Sequence, residues 1–198
     1  NEFKIERVID STKGNISDLD ISDNILDKLN AFLCPGRGEM LVADNVVLVE
    51  GYSEEILLRK YVSDNKLNWT IVNVAGIMFE PYVRLAHALG KKCVVVSDND
   101  RSQSSDGNEP TSRFKNLQTI CDESGITLVE VDNTLETDLY NNSKLSDYVG
   151  YLKSHKKHTD IMVMKDNNSK ASLALEVVGN IDLLDWHVIK EITDAFKE

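Results

Sequence analysis

Residues 45–61 read NVVLVEGYSEEILLRKY, and this stretch decides the fold. Val46, Val47, Leu48 and Val49 form a continuous run of β-branched and aliphatic residues, the pattern of a strand covered on both faces and hence of a parallel sheet. Glu50 follows at the strand's carboxyl end. Gly51, lacking a Cβ, permits a sharp turn into a helix, and Ser53 offers a capping hydroxyl. Glu54 and Glu55 sit where a helix N-terminus favours acids, so the residues alone leave them open between dipole compensation and chemistry. Glu50 is different, because ligands of open α/β sheets gather at the carboxyl ends of the strands.

The alternation of strand and helix continues downstream. Ile56, Leu57, Tyr61 and Val62 predict a helix over 54–62; turn residues then bound a strand over 69–74. A helix over 79–89 carries Pro81 in its first turn and Gly90 as its cap. The run CVVV makes a strand over 92–97, ending in Ser97, Asp98, Asn99 and Asp100. Residues 101–111, rich in Ser, Asp, Gly and Asn, predict a mobile loop. A helix over 112–123 and a strand over 126–131 complete the pattern. Upstream, Leu19, Ile21, Ile25, Leu26, Leu29 and Phe32 recur at helical period over 17–32, and a short helical turn over 39–43 leads into the first strand. Beyond Asp132 only helices are indicated, over 135–140, 145–154, 169–178 and 184–196. The chain therefore reads as α/β: a doubly wound sheet of about four parallel strands with helices on both faces, an N-terminal helix and a C-terminal helical appendage. Residues 1–43 form a helical lead-in, 44–140 the core, and 141–198 a helical extension packed on it.

Composition sets limits on function. With 33 acidic against 22 basic residues the formal net charge is -11, a field that repels nucleic acid. Cys34, Cys93 and Cys121 are odd in number and widely spaced, which indicates neither a disulfide framework nor a zinc knuckle, and fits a reducing cytoplasm. No apolar run reaches membrane-spanning length and no signal peptide is visible. A start at Asn1 rather than Met is what a fragment or a processed product is expected to show.

Asp98 and Asp100 stand two apart at a strand's end, where an extended backbone would point both carboxylates to one side, toward Glu50. Acids gathered at neighbouring strand ends repel unless a cation or a proton lies among them. Mg²⁺ or Mn²⁺ takes such oxygen ligands and leaves room for phosphate. Two such ions about 4 Å apart activate a water and stabilise the leaving oxygen of a phosphodiester. A solvated DxD turn is the plain alternative. Glu136, after Asp132 and Asn133, is open between a helix cap and a ligand. Lys170 stands near a predicted helix start, where the dipole disfavours a cation.

A strand ending in Glu-Gly followed by a strand ending in Asp-x-Asp, inside a four-stranded α/β unit, resembles the Toprim domain of topoisomerases, bacterial primases and several nucleases. The run from Glu39 to Gly51, with Ser53, Glu54, Leu57 and Leu58 after it, narrows the resemblance to the overcoming-lysogenization-defect (OLD) family of ATP-dependent endonucleases, with the Gabija defence nucleases as relatives. In that family the stretch joins an N-terminal ABC-type ATPase to a C-terminal Toprim nuclease. The resemblance implies a metal-dependent DNA endonuclease, active in phage defence and homo-oligomeric when full length. The chain itself has no GxxxxGK[ST] loop, so the ATPase that the resemblance implies is expected upstream of it. The resemblance also implies that Glu50, Glu54, Asp98, Asp100 and Glu136 hold two Mg²⁺ or Mn²⁺ ions, with Glu50, Asp98, Asp100 and Lys170 as catalytic residues and Lys170 facing the scissile phosphate. Thr134 replaces an acid that some relatives carry, and no role is assigned to it or to Asp138. The densest basic stretch, with Lys153, Lys156, Lys157 and Lys165 as its lysines, is the expected DNA contact. Two other readings stand beside this one. Asp98 to Ser102 passes for the DxDx[T/V/S] of haloacid-dehalogenase-like phosphotransfer domains, though on the third strand rather than the first. A non-catalytic, receiver-like Mg²⁺-binding module would need a paired acid after the first strand instead.

Overall fold

A strand buried on both faces needs a helical layer on each side, and the chain supplies two. The computed structural model describes residues 21–32, 35–76, 78–104, 107–142, 174–175, 178 and 182–197. In chain order they form helix α1 (Asp23–Phe32), the short helix α2 (Pro35–Gly38), a 3-10 turn (Glu39–Leu41), strand β1 (Asn45–Val49), α3 (Tyr52–Asn65), β2 (Thr70–Asn73), α4 (Phe79–Ala88) and β3 (Lys92–Asp98). A second 3-10 turn (Arg101–Gln103), α5 (Ser112–Ser124), β4 (Thr127–Val131), α6 (Leu135–Asn142) and α7 (His187–Lys197) follow. The strands make one parallel sheet in the order β2-β1-β3-β4.

The two-residue period of a strand sorts the apolar side chains into layers. Val47, Val49, Val94, Val96, Val129 and Val131 face one layer, built from Leu57 and Leu58 of α3, Leu135 and Leu139 of α6, and Val188, Ile189 and Ile192 of α7. Val46, Leu48, Val72 and Val95 face the other, built from Ile25 and Leu29 of α1, Tyr82 and Leu85 of α4, and Leu117 and Cys121 of α5. The chain steps from β1 outward to β2 through α3 on the first face. It then returns over β1 to β3, and on to β4, through α4 and α5 on the second. Strand order therefore reverses between β1 and β3, and the carboxyl ends of those two strands flank the switch-point crevice of the sheet.

The described residues at the two ends of the loop over 101–111 make polar contacts to the neighbouring strand ends. Arg101 bonds Glu130 at 2.6 Å, Ser102 N–H donates to Asn133, and Thr111 N–H donates to the Asn99 carbonyl at 3.1 Å. α7 lies against β3 and β4, and its Phe196 ring stands 5.6 Å from Trp69, which in turn stands 6.2 Å from Tyr61. The N-terminal stretch 1–20, the helix expected over 145–154 and most of that over 169–178 lie outside the described residues.

Candidate metal centre

Asp98 is the last residue of β3 and continues the face of Val94 and Val96, so its side chain enters the layer of α3 and α6 rather than water. Glu54, in the first turn of α3, and Glu136, in the first turn of α6, are both buried in that region. Asp98 Oδ1 is buried with no hydrogen-bond partner. Burial first, then the charges of Glu54, Glu50, Glu136 and Asp100, push its carboxyl well above the ordinary aspartate range. The acids singled out in the sequence thus act together on a carboxyl with one orphaned oxygen. Left ionised, two of them about 4 Å apart would repel by about 4 kcal/mol at an effective dielectric of 20.

Local structure explains how the acids arrive, and in three places it corrects the sequence reading. Gly51 adopts φ -145°, an extended backbone open to any residue; a Cβ there would stand 3.2 Å from Glu54 Oε2, so its hydrogen makes room for that carboxylate. Ser53 is not the cap of α3, because the helix starts at Tyr52 with Gly51 as N-cap and no side-chain cap bond. Asp100 does not reach the site by strand alternation. Strand β3 has ended, and Asp100 takes a left-handed conformation with φ 52°. Asn99, fully buried between the two aspartates, enforces that bend. Its Nδ2 donates to Glu130 at 2.6 Å and its Oδ1 accepts the Arg101 and Asn133 amides at 3.1 and 2.8 Å, pinning the DxD backbone to the end of β4.

The residue missed by sequence reading is Arg113. It donates from Nη1 to Glu50 Oε2 at 2.9 Å and from Nη2 to Asp100 Oδ2 at 2.6 Å, and Nη2 also reaches the Asp98 carbonyl at 3.1 Å. A signal was present: Arg113 is the second residue of α5, where the dipole opposes a cation, the same misfit that singles out Lys170. Ser97 Oγ stands 3.5 Å from Glu50 Oε2, at the outer limit of a hydrogen bond.

Among the described residues no group of three or more His, Cys, Asp and Glu side chains is drawn together tightly enough to form a ready cation cage. The Arg113 fork, between Glu50 and Asp100, keeps those two carboxylates engaged. The donor set nevertheless fits a hard divalent cation. Every candidate ligand is a carboxylate oxygen, and Asp98 Oδ1 is a buried acceptor with no donor.

Other expected residues fall elsewhere. Glu55 bonds Arg59 and Asn73 and stands apart from the cluster. Glu136 is not the cap of α6: Thr134 Oγ1 accepts the Thr137 amide at 3.3 Å and takes that role. Asp138 is fully buried, accepting from Trp186 Nε1 at 2.5 Å and bonded to His187 Nε2 at 3.0 Å, so it anchors α7 to α6. Lys153, Lys156, Lys157, Lys165 and Lys170 lie outside the described residues. No described helix is long and apolar enough to cross a membrane.

Residues 41–100 match the family model for "Overcoming lysogenization defect protein-like, TOPRIM domain". Among solved structures, the chain is similar to the C-terminal region of the Burkholderia pseudomallei OLD protein, at 17% identity over 78% of this chain and 81% of that one, with a TM-score of 0.44. It is also similar to the C-terminal region of the Xanthomonas campestris pv. campestris OLD protein, at 20% identity over 78% of this chain and 80% of that one, with a TM-score of 0.40. No curated protein matches it.

Proposed function

Residues 41–100 of this chain match the OLD-like Toprim family model, and from that match we propose that the chain is the catalytic part of a divalent-metal-dependent DNA endonuclease. The observation that carries the reading is the buried, donorless Asp98 Oδ1 set among Glu54, Glu50, Glu136 and Asp100 at the switch point of the sheet. Toprim domains as a class bind divalent metals. Here Glu50, Glu54, Asp98, Asp100 and Glu136 would hold two Mg²⁺ or Mn²⁺ ions. Such a pair supplies an activated water and stabilisation of the leaving oxygen of a phosphodiester.

The remaining work falls to the chain itself. Asn99 fixes the two aspartates against β4, and Gly51 leaves space for the Glu54 carboxylate. Asp98, held protonated to higher pH than an ordinary aspartate, gives up that proton when its oxygens are taken as ligands. Lys170 would face the scissile phosphate and oppose charge growing there, and Lys153, Lys156, Lys157 and Lys165 would carry the flanking DNA. In the whole protein we place this unit after an ABC-type ATPase region, in a cytoplasmic homo-oligomer serving phage defence. The lead-in over 1–43 would join the two regions, with 44–140 as the Toprim core and 141–198 as its helical extension.

The test is nicking of supercoiled plasmid with Mg²⁺ or Mn²⁺. Glu50→Ala and Asp98→Ala are each expected to lose more than about a hundredfold of the activity, the upper range for disturbing even the outer residues of a metal site, with the fold intact by circular dichroism. Metal-dependent nicking retained in both variants would overturn the site. Hydrolysis of a small phosphomonoester without nicking would favour the phosphotransfer alternative.

A further inference from the structure

We propose that Arg113 is a resident counter-ion of the acid cluster, competing with divalent cations for Glu50 and Asp100, so that metal enters only as the guanidinium is displaced. The proposal rests on the nuclease reading for the identity of the site, and on its own geometry for the rest.

The first ground is shared atoms. Glu50 and Asp100 are two acids expected to bind metal, and one oxygen of each is bonded to the Arg113 fork, at 2.9 and 2.6 Å. A guanidinium is permanently charged, and its planar fork suits carboxylates. Its charge repels an incoming dication as effectively as its donors occupy the ligands. Both pairs are largely shielded from water, with side-chain exposures of 26% for Arg113, 26% for Glu50 and 17% for Asp100, so salt screens them weakly.

The second ground is the place from which Arg113 reaches. Thr111 caps α5 by accepting the Phe114 amide, which leaves Arg113 in the first turn, in the positive end of the helix dipole. A cation stays there because the acids attract it. Once a dication neutralises Glu50 and Asp100, that attraction is lost while the dipole remains. The side chain is then driven outward, toward the solvent or a phosphate.

The third ground is the shape of the cluster with Arg113 engaged. Asp98 Oδ1 is buried and donorless, whereas Glu50 and Asp100 are held by the arginine, and no described group of three acids closes into a cage. One oxygen is therefore open while one oxygen on each of two neighbouring acids is occupied by the arginine, as a competitor at part of a site requires.

The experiment titrates Mn²⁺ into the 198-residue chain by calorimetry, without DNA, and measures melting in EDTA and in saturating Mn²⁺. Arg113→Ala is expected to bind Mn²⁺ about tenfold more tightly, since a unit charge removed at close range outweighs the loss of a positioning hydrogen bond. It should also melt below wild type in EDTA and gain more on adding Mn²⁺. Arg113→Gln, which keeps hydrogen-bond donors without the charge, should show the same gain in affinity and serves if the alanine variant does not fold. Affinity unchanged or weakened in both variants, or no binding by either at millimolar Mn²⁺, overturns the proposal. Plasmid nicking run in parallel separates the two claims. Tighter Mn²⁺ binding in a chain that never nicks DNA would leave the competition standing and remove the nuclease. Nicking by a chain whose Mn²⁺ affinity ignores Arg113 would do the reverse.

Discussion

Asp98 concentrates the tension of the site. Its carboxyl is buried, one oxygen lacks a donor, and acids surround it, so the metal-free protein bears an uncompensated cost wherever Asp98 is ionised. Because its folded pKa is raised, that cost is absent below the unfolded pKa and grows as pH rises toward the folded one. Asp98→Asn keeps the shape and removes the charge. In EDTA at pH 8 the variant should melt higher than wild type, by about 2–4 °C for each kcal/mol relieved in a chain of this size, while losing Mn²⁺ binding. A melting point equal to or below wild type would mean that the carboxylate is already compensated. Sequence made Glu50 and Asp98 legible because a carboxylate at the end of an unbroken apolar strand has no packing role there. It left Glu54 ambiguous, since any acid suits a helix start. Only the fold, by closing Gly51 against Glu54 Oε2, separates Glu54 from Glu55. Arg113 stayed hidden because its partners Glu50 and Asp100 lie 63 and 13 residues away, and no local pattern joins them.

At the scale of elements, the strands were readable and the long-range clasp was not. Continuous Val and Leu runs announced β1 and β3, and their parallel pairing followed from the helices between them. The attachment of α7 depends on a polar knot assembled across 48 residues: Asp138 of α6 takes the indole N–H of Trp186 and faces His187, which also meets Glu191 at 2.9 Å. No periodicity marks a lone aspartate as an anchor. The knot fixes the helix that carries Glu136, so Trp186 and α7 support the candidate site through α6. Burial disfavours the charged His187 ring, but hydrogen bonds to Glu191 and Asp138 and the charges of both outweigh it, and the pKa is raised. The sign follows from linkage: the stabilisation is full below the unfolded value of about 6.5 and is lost as pH rises through the raised folded value. Melting temperature between pH 6 and pH 9 should therefore fall more for wild type than for His187→Gln. Parallel curves would show that the ring does not charge on folding. Asp138→Ala should be the harsher change, costing about 1–3 kcal/mol for each buried donor left unpaired, read from the midpoint of urea unfolding.

Over the whole molecule the difficulty is charge. A chain at -11 with an acid cluster at its proposed centre repels DNA at long range, and in EDTA the site itself adds to the repulsion. Two features can reverse that locally. Divalent ions bound at the proposed site would neutralise its carboxylates, and the stretch from Lys153 to Lys165, the densest basic segment in the sequence, would meet phosphates of a bound duplex. Because binding to phosphates proceeds by counter-ion release, the two contributions leave different signatures. Charge reversal by Lys156→Glu with Lys157→Glu should weaken binding of a non-cleavable duplex without sequence preference. It should also reduce the slope of log K against log salt by about 2, one for each phosphate that a lysine no longer neutralises. Mn²⁺ withdrawal should instead weaken binding in wild type and the double variant alike, because the ions act at the cluster rather than along the backbone. A slope unchanged by the double reversal would take the basic stretch out of the DNA interface and leave the excess negative charge to be overcome at the proposed metal site.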